Sequence, residues 1–286
     1  MQENSGGKAA SRRAGVRKVR VGPERAGQRI DNFLRSELPG VPRGRVYRLL
    51  RRGEVRVNGG RIRAEYRLKE GDEVRIPPAR INAAGEAPPA SKAAAMLDHI
   101  IYEDKRLLVI NKPAGVAVHG GSGVSHGVIE LLRHARTDLA ELALVHRIDR
   151  ETSGCLVMAK RRSALRELHE RFRRGQVEKN YLALVLGDWQ YGDQIIDAPL
   201  LVTNRRGGER HVIVSDKGKD ARTRVSLSRT NGVYSLLKCE PETGRTHQIR
   251  VHLQHAGHPI VGDERYGDPD ANGQARRLGV ARLFLH

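Results

Sequence analysis

Apolar positions along this chain repeat with two different periods, and the change of period divides it. Ile30, Phe33, Leu34 and Leu38 fall at helical spacing, residues 40–44 (GVPRG) break the pattern, and Val46, Leu49 and Leu50 resume it, so two short amphipathic helices are expected. Residues 54–62 (EVRVNGGRI) then alternate apolar and polar side chains around Asn58-Gly59, a dipeptide suited to the left-handed backbone of a tight hairpin, and DEVRIP adds a short strand. Residues 77–92 hold Pro, Ala, Gly and Ser without any period and read as linker.

Beyond that point short strand-like runs dominate, at 107–110, 181–186, 212–214, 224–228 and 234–239, with helices expected near 128–135 and 164–173. Strands outnumber helices and do not alternate strictly with them, which favours an α+β domain with a mixed, mostly antiparallel sheet. The expected organisation is a disordered basic tail at 1–20, a small α/β module at 21–80, a linker at 81–97 and a larger domain at 98–286.

Charge changes the picture next. The chain of 286 residues carries 52 Lys and Arg against 33 Asp and Glu, a formal net charge of +19 that points to a polyanionic partner. Residues 1–80 hold 21 basic and 9 acidic side chains, net +12, leaving 31 and 24, net +7, for the longer remainder. Arg45, Arg48 and Arg52 lie at i, i+3 and i+7 and so share one stripe of the second helix, opposite its apolar face. The two cysteines, Cys155 and Cys239, sit inside apolar runs and read as small buried hydrophobes in a reducing compartment. No apolar run approaches the length of a membrane span, and the opening residues lack the apolar segment of a secretion signal, so a cytoplasmic protein is expected.

Candidate chemistry centres on residues 142–160, LALVHRIDRETSGCLVMAK. Two apolar runs, 142–145 and 155–159, read as buried strands flanking a polar turn, and Asp149 stands in that turn between Arg147 and Arg150. A carboxylate at a strand end, partly desolvated and faced by guanidinium groups, is either a turn cap paired to its arginines or a reactive group. His146, Asp149 and Ser153 are too close in sequence to align as a hydrolase triad. His247, His252, His255 and His258 cluster, yet no further ligand lies at a recognised metal spacing, so no metal is expected. The glycines of HGGSGVSHG fit neither a dinucleotide nor a Walker loop, and no cofactor is expected.

The segment HRIDRETSG at 146–154 resembles the HRLDxxTSG signature of the RluA-type pseudouridine synthases. The resemblance continues through NKPAGVAVHGG at 111–121, KNYLALV at 179–185 and TGRTHQIRVHLQHAGHPIVGD at 243–263, in family order. It implies an α+β catalytic domain that detaches uracil, turns it and rejoins it through carbon-5, with no cofactor and no net redox change. In that family the aspartate matching Asp149 attacks the target nucleotide or draws a proton from its ribose. Tyr181 matches a tyrosine that stacks on the extruded base, and Arg250 a basic residue that pairs with the catalytic aspartate. Ile249 matches an apolar lining position, and Arg147 a side chain that fills the gap left by the flipped nucleotide; any of these arginines could instead clamp a phosphate.

Asn111, Lys112 and Pro113 read as structural. The front module resembles the RNA-binding module of ribosomal protein S-four, with Arg45, Arg48 and Arg52 reaching phosphates. The implied partner is 23S ribosomal RNA, before or during assembly of the large subunit, met by a monomer. A transfer-RNA-directed synthase and a non-catalytic assembly factor are the alternatives. Family members continue beyond Leu283–His286 through a further strand and helix, so a C-terminally truncated sheet is expected.

Overall fold

Two units emerge in the computed structural model of the chain, 1–87 and 88–286, and the structure describes residues 15–38, 41, 43–78, 87–121, 124–204 and 210–286.

In the first unit the order is β1 (Arg17–Arg20), α1 (Ile30–Glu37), α2 (Arg43–Arg51), β2 (Arg56–Val57) and β3 (Glu73–Ile76). The strands form one antiparallel sheet in the order β1-β3-β2. Both helices turn their periodic apolar faces inward, and Ile30, Phe33, Leu34, Val46 and Leu49 pack with Val57, Val74 and Ile76. Arg45, Arg48 and Arg52 are exposed, as their stripe requires.

Three expectations change here. Arg17–Arg20, assigned to the tail, form β1 along the free edge of β3, because Val19 alternates into the core while its basic neighbours face out. Residues 1–14 and most of the expected linker, 79–86, lie outside the described residues. The Asn58-Gly59 turn does form, with φ of 50° and 79°, but no returning strand follows it. Instead the Asn58 amide donates to Asp72 at 2.8 Å and accepts from the Glu73 N–H at 2.8 Å, which draws β3 onto β2 as its ladder partner.

The second unit begins with α3 (Ala90–Leu97), a helix where linker was expected; Ala93 and Met96 bury against α4 and the sheet beneath. There follow β4 (Ile100–Glu103), β5 (Leu107–Lys112), α4 (Val128–Ala135), β6 (Ala143–Leu144), β7 (Gly154–Ala159) and α5 (Arg162–Arg173). The chain continues with β8 (Tyr181–Leu186), β9 (Gln194–Asp197), β10 (Leu200–Asn204), β11 (Arg210–Val214), β12 (Arg222–Thr230), β13 (Tyr234–Pro241), α6 (Gln248–His255) and α7 (Pro269–Arg277). One four-stranded sheet runs β4-β5-β7-β6, another β8-β13-β12-β9, and β10 with β11 makes a hairpin. Every strand pair among the described residues is antiparallel, consistent with the α+β expectation.

Cys239 is buried in β13, where loss of solvation pushes its thiol up to about 12, but Cys155 is exposed, contrary to expectation. A strand sends successive side chains to opposite faces, and the apolar run 155–159 gave no sign of which parity faced water.

What joins the two sheets is the segment 283–286. Leu182 and Leu184 N–H donate to the His286 and Phe284 carbonyls at 2.8 and 3.1 Å, extending the second sheet past β8. Ser153 N–H donates to the Leu285 carbonyl at 3.2 Å, and Ser153 Oγ lies 2.9 Å from His286 Nδ1. Gly154, at φ 121°, holds a backbone conformation that L side chains rarely adopt where the chain passes this segment. The end of the Asp149 turn is thereby fastened beside the start of β8. Among the described residues no helix is long and apolar enough to cross a membrane.

Candidate active site

Residues 145–153 leave β6 and enter β7 as an irregular turn. Its side chains are anchored to separate segments of the unit. His146 Nε2 accepts the Val157 N–H at 3.0 Å and its ring stacks on Phe172 at 5.1 Å, so burial holds this imidazole neutral, down to about 4. Ser153 is held by the 283–286 segment, and Arg150 Nε donates to the Gly115 carbonyl at 2.9 Å. The triad geometry is thus absent, as sequence spacing implied.

Asp149 is half-buried, and its carboxylate accepts no hydrogen bond and forms no ion pair with any described residue. The expectation that Arg147 and Arg150 flank it is not met. Arg150 is tied to Gly115 and lies 3.4 Å from Glu151, and Arg147 points outward, exposed and without a described partner. Arg147 and Ile148 instead line a groove of about 170 Å³ with the loop 117–121 and Val124.

Four ionisable groups from separated segments feel the Asp149 charge: Lys112 at the end of β5, Tyr181 at the start of β8, His247 at the N-cap of α6 and Arg250 within it. Lys112 is fully buried, its Nζ donating to the Pro113, Val116 and Arg150 carbonyls at 2.8, 2.9 and 2.9 Å. Burial lowers it to about 8, opposed by Glu151 and Asp149. It closes the loop 113–116 onto residue 150, which confirms its structural reading and adds a cation that the sequence reading passed over. Burial, then Asp149, raise the Tyr181 phenol above its ordinary value, so it keeps its proton at neutral pH. Ile249 is buried in the same apolar cluster as Leu253, with Tyr181 packed against that cluster, so it contributes to the core at the site and does not stand open to it.

Arg250 does not pair with Asp149. Its Nε and one terminal nitrogen fork onto Asp263, each at 2.7 Å, and both side chains are buried. Burial, the largest single influence, disfavours the Arg250 cation, but the Asp263 hydrogen bonds and charge, with Asp149 and Tyr266, together outweigh it and raise the pKa. Asp263 is correspondingly held low by Arg250 and by the Arg265 and Tyr266 N–H groups against the cost of its burial. Arg250 also lies 5.0 Å over the Tyr266 ring. Asp263 and Tyr266, beyond the end of α6, went unread in the sequence, where Asp263 stands in the charged stretch VGDERYGD beside Glu264 and Arg265 and nothing local marks it as the partner of Arg250.

Of the histidine cluster, His252 is buried with its ring nitrogens 2.9 Å from Thr223 Oγ and 3.0 Å from the Ala198 carbonyl, and His258 Nδ1 lies 2.9 Å from the Leu186 carbonyl. These side chains fasten α6 to the sheet. Two joined antiparallel sheets thus carry Asp149, without a hydrogen-bond partner among the described residues, and within reach of its charge a protonated strand tyrosine and the buried Arg250 of α6. The chain belongs to the RNA pseudouridylate synthase family, whose model matches residues 106–255, and an S4 domain matches 28–74; it is a pseudouridine synthase, an isomerase.

Among its relatives, ribosomal large subunit pseudouridine synthase C of Escherichia coli (strain K12) is 53% identical over 276 residues, covering 95% of this chain and 86% of that one. The protein of the same name from Haemophilus influenzae is 52% identical over 274 residues, covering 95% and 85%. Among solved structures, human RNA pseudouridylate synthase domain containing 4 superposes with a TM-score of 0.56 at 29% identity, covering 68% of this chain and 84% of that one. Human RNA pseudouridylate synthase domain containing 1 gives 0.55 at 28%, covering 65% and 75%.

Proposed function

We propose that the protein isomerises uridines of 23S ribosomal RNA to pseudouridine, with Asp149 as the reacting carboxylate, and that it does so in the cytoplasm as a monomer. The observation that carries this reading is the Asp149 carboxylate itself, half-buried, ringed by four ionisable groups and spared from every described hydrogen bond. A carboxylate left unpaired in a folded protein is free to attack a sugar carbon or accept its proton, and both require the ionised form. The substrate assignment follows from relatives named for the large ribosomal subunit.

Tyr181, protonated and at the opening of β8, offers a flat ring to the extruded base and an O–H to the reacting atoms. Arg147, exposed and without a described partner, suits the gap that a flipped nucleotide leaves, since a guanidinium plane can stack on bases. Arg250 acts through Asp263 and Tyr266 rather than by direct pairing, and Ile249 underlies the site. In the front unit Arg45, Arg48 and Arg52 supply phosphate contacts.

Release of tritium from carbon-5-labelled 23S RNA tests the reading. Asp149→Asn is expected to be inactive while binding RNA within a few-fold of the parent, because the carboxylate contributes only repulsion toward phosphate. Turnover by that variant overturns the assignment, and activity on transfer RNA with none on 23S RNA overturns the substrate.

A further inference from the structure

Beside Asp149 stands a group that neither its charge nor the packing of the fold explains. His247 occupies the N-cap of α6 in the left-handed region, at φ 54° and ψ 21°, a conformation uncommon for residues other than glycine. Its Nδ1 lies 2.7 Å from the Tyr266 hydroxyl. That hydroxyl oxygen already accepts the Val212 N–H at 3.1 Å, so its own proton is available to only one neighbour, the His247 ring. Burial raises the Tyr266 phenol above its ordinary value and keeps the proton on oxygen. The hydroxyl therefore donates, Nδ1 accepts, and a neutral imidazole in that arrangement must carry its proton on Nε2.

Tyr266 is held firmly enough to dictate this. It is buried, Arg250 lies over one side of its ring at 5.0 Å, and His211 stacks on it at 5.2 Å and 25°. Asp263 accepts the Tyr266 N–H at 3.1 Å with the same carboxylate that takes the Arg250 fork. Nothing described takes the other end of the imidazole: Nε2 has no hydrogen-bond partner among the described residues, and it is not an atom sealed from solvent. Burial, helped by the Arg250 and Arg265 charges, outweighs the opposing pull of Asp149 and Asp263 and lowers the ring to about 4. A cationic ring here would pair with Asp149 and take the reacting carboxylate away, whereas a neutral N–H donor leaves it free.

We propose that His247 offers its Nε2–H to a carbonyl oxygen of the target pyrimidine, in the tautomer that the Tyr266 hydroxyl imposes. The proposal rests on the reading of Asp149 as the reacting group, since it places the base beside that residue. His247 thus positions the ring while uracil is detached and turned, and Asp263, Arg250 and Tyr266 form the support that aims it.

Two measurements on the full chain test it. The ¹⁵N shifts of the His247 ring at pH 7 are expected to show a neutral ring protonated on Nε2, with both tautomers populated in Tyr266→Phe. A ring protonated on Nδ1, or on both nitrogens, overturns the proposal whatever the kinetics. His247→Gly and His247→Asn both tolerate the left-handed backbone, so folding is preserved while the donor is removed or replaced. His247→Gly is expected to lose about 10- to 100-fold in single-turnover rate at saturating enzyme, the worth of one hydrogen bond to a developing charge, with RNA binding nearly unchanged. His247→Asn, which restores an N–H, should recover part of the loss. A normal rate in His247→Gly alongside an inactive Asp149→Asn overturns this proposal alone; turnover by Asp149→Asn overturns the underlying reading as well.

Discussion

In the first unit Arg45, Arg48 and Arg52 stand exposed on or beside one short helix, whereas in the second Lys112 and Arg250 are buried, their hydrogen bonds running to carbonyl and carboxylate oxygens. The same residue types serve opposite ends. An exposed guanidinium keeps its hydration and its rotamers and is worth little to stability, but it can meet a phosphate anywhere along a strand and release the ion bound there. A buried cation has lost its water, is tolerable only with its partners in place, and in return ties together the segments that supply them. Affinity for RNA should therefore reside in the first set and the shape of the reaction site in the second.

The comparison breaks most visibly at Asp263. Asp263→Asn leaves the Arg250 cation buried without its counter-charge and should cost about 3–5 kcal/mol in chemical unfolding, with turnover lost even below the unfolding transition. If the fork is what matters, the paired replacement Asp263→Leu with Arg250→Met should recover most of that stability and none of the activity. Equal losses in the single and double variants would mean the pair is not the structural unit described here.

A second effect is set by pH. His146 titrates near its ordinary 6.5 in the unfolded chain and near 4 when folded. Between those values the unfolded state binds more protons, so the folded state loses stability as pH falls from 6.5 toward 4, by up to about 3 kcal/mol. Melting temperatures measured from pH 7 to pH 4 should fall, and His146→Gln, which cannot titrate, should flatten that fall; an equally steep profile in the variant would place the acid sensitivity elsewhere. Lys112 works in the opposite range: below about 8 its burial as a cation is a constant cost, relieved as pH rises toward 10.5.

The smallest effect on the fold, and the largest on RNA, is expected from Arg45, Arg48 and Arg52. Replacing all three with Ala should move stability by no more than about 0.5 kcal/mol per site, yet reduce the slope of log affinity against log salt by about 2 to 3. Filter binding at several salt concentrations reads the slope. An unchanged slope would show the stripe to be a solvated face and nothing more.

Much of this molecule was legible before any coordinates. Helical spacing at Ile30, Phe33, Leu34 and at Val46, Leu49, Leu50 fixed α1 and α2, because an amphipathic helix must bury whichever stripe is apolar. Short strand-like runs placed β8 and β13, and the HRIDRETSG, KNYLALV and THQIR segments singled out Asp149, Tyr181 and Arg250. What pattern could not supply was partnership. Asn58-Gly59 made its turn, but whether β2 would pair forward or with β3 depended on Asn58 reaching Asp72 and Glu73 across the sheet. Arg250 was expected to pair with Asp149 and forks onto Asp263 instead, since local sequence gives a cation its charge but not the carboxylate that packing delivers to it. His247 was one histidine among four until the fold set Tyr266 against its Nδ1 and left Nε2 open. Periodicity and charge are properties of neighbours in the chain and can be read from it; hydrogen-bond direction, tautomer and the choice between two acids arise only between residues brought together by folding.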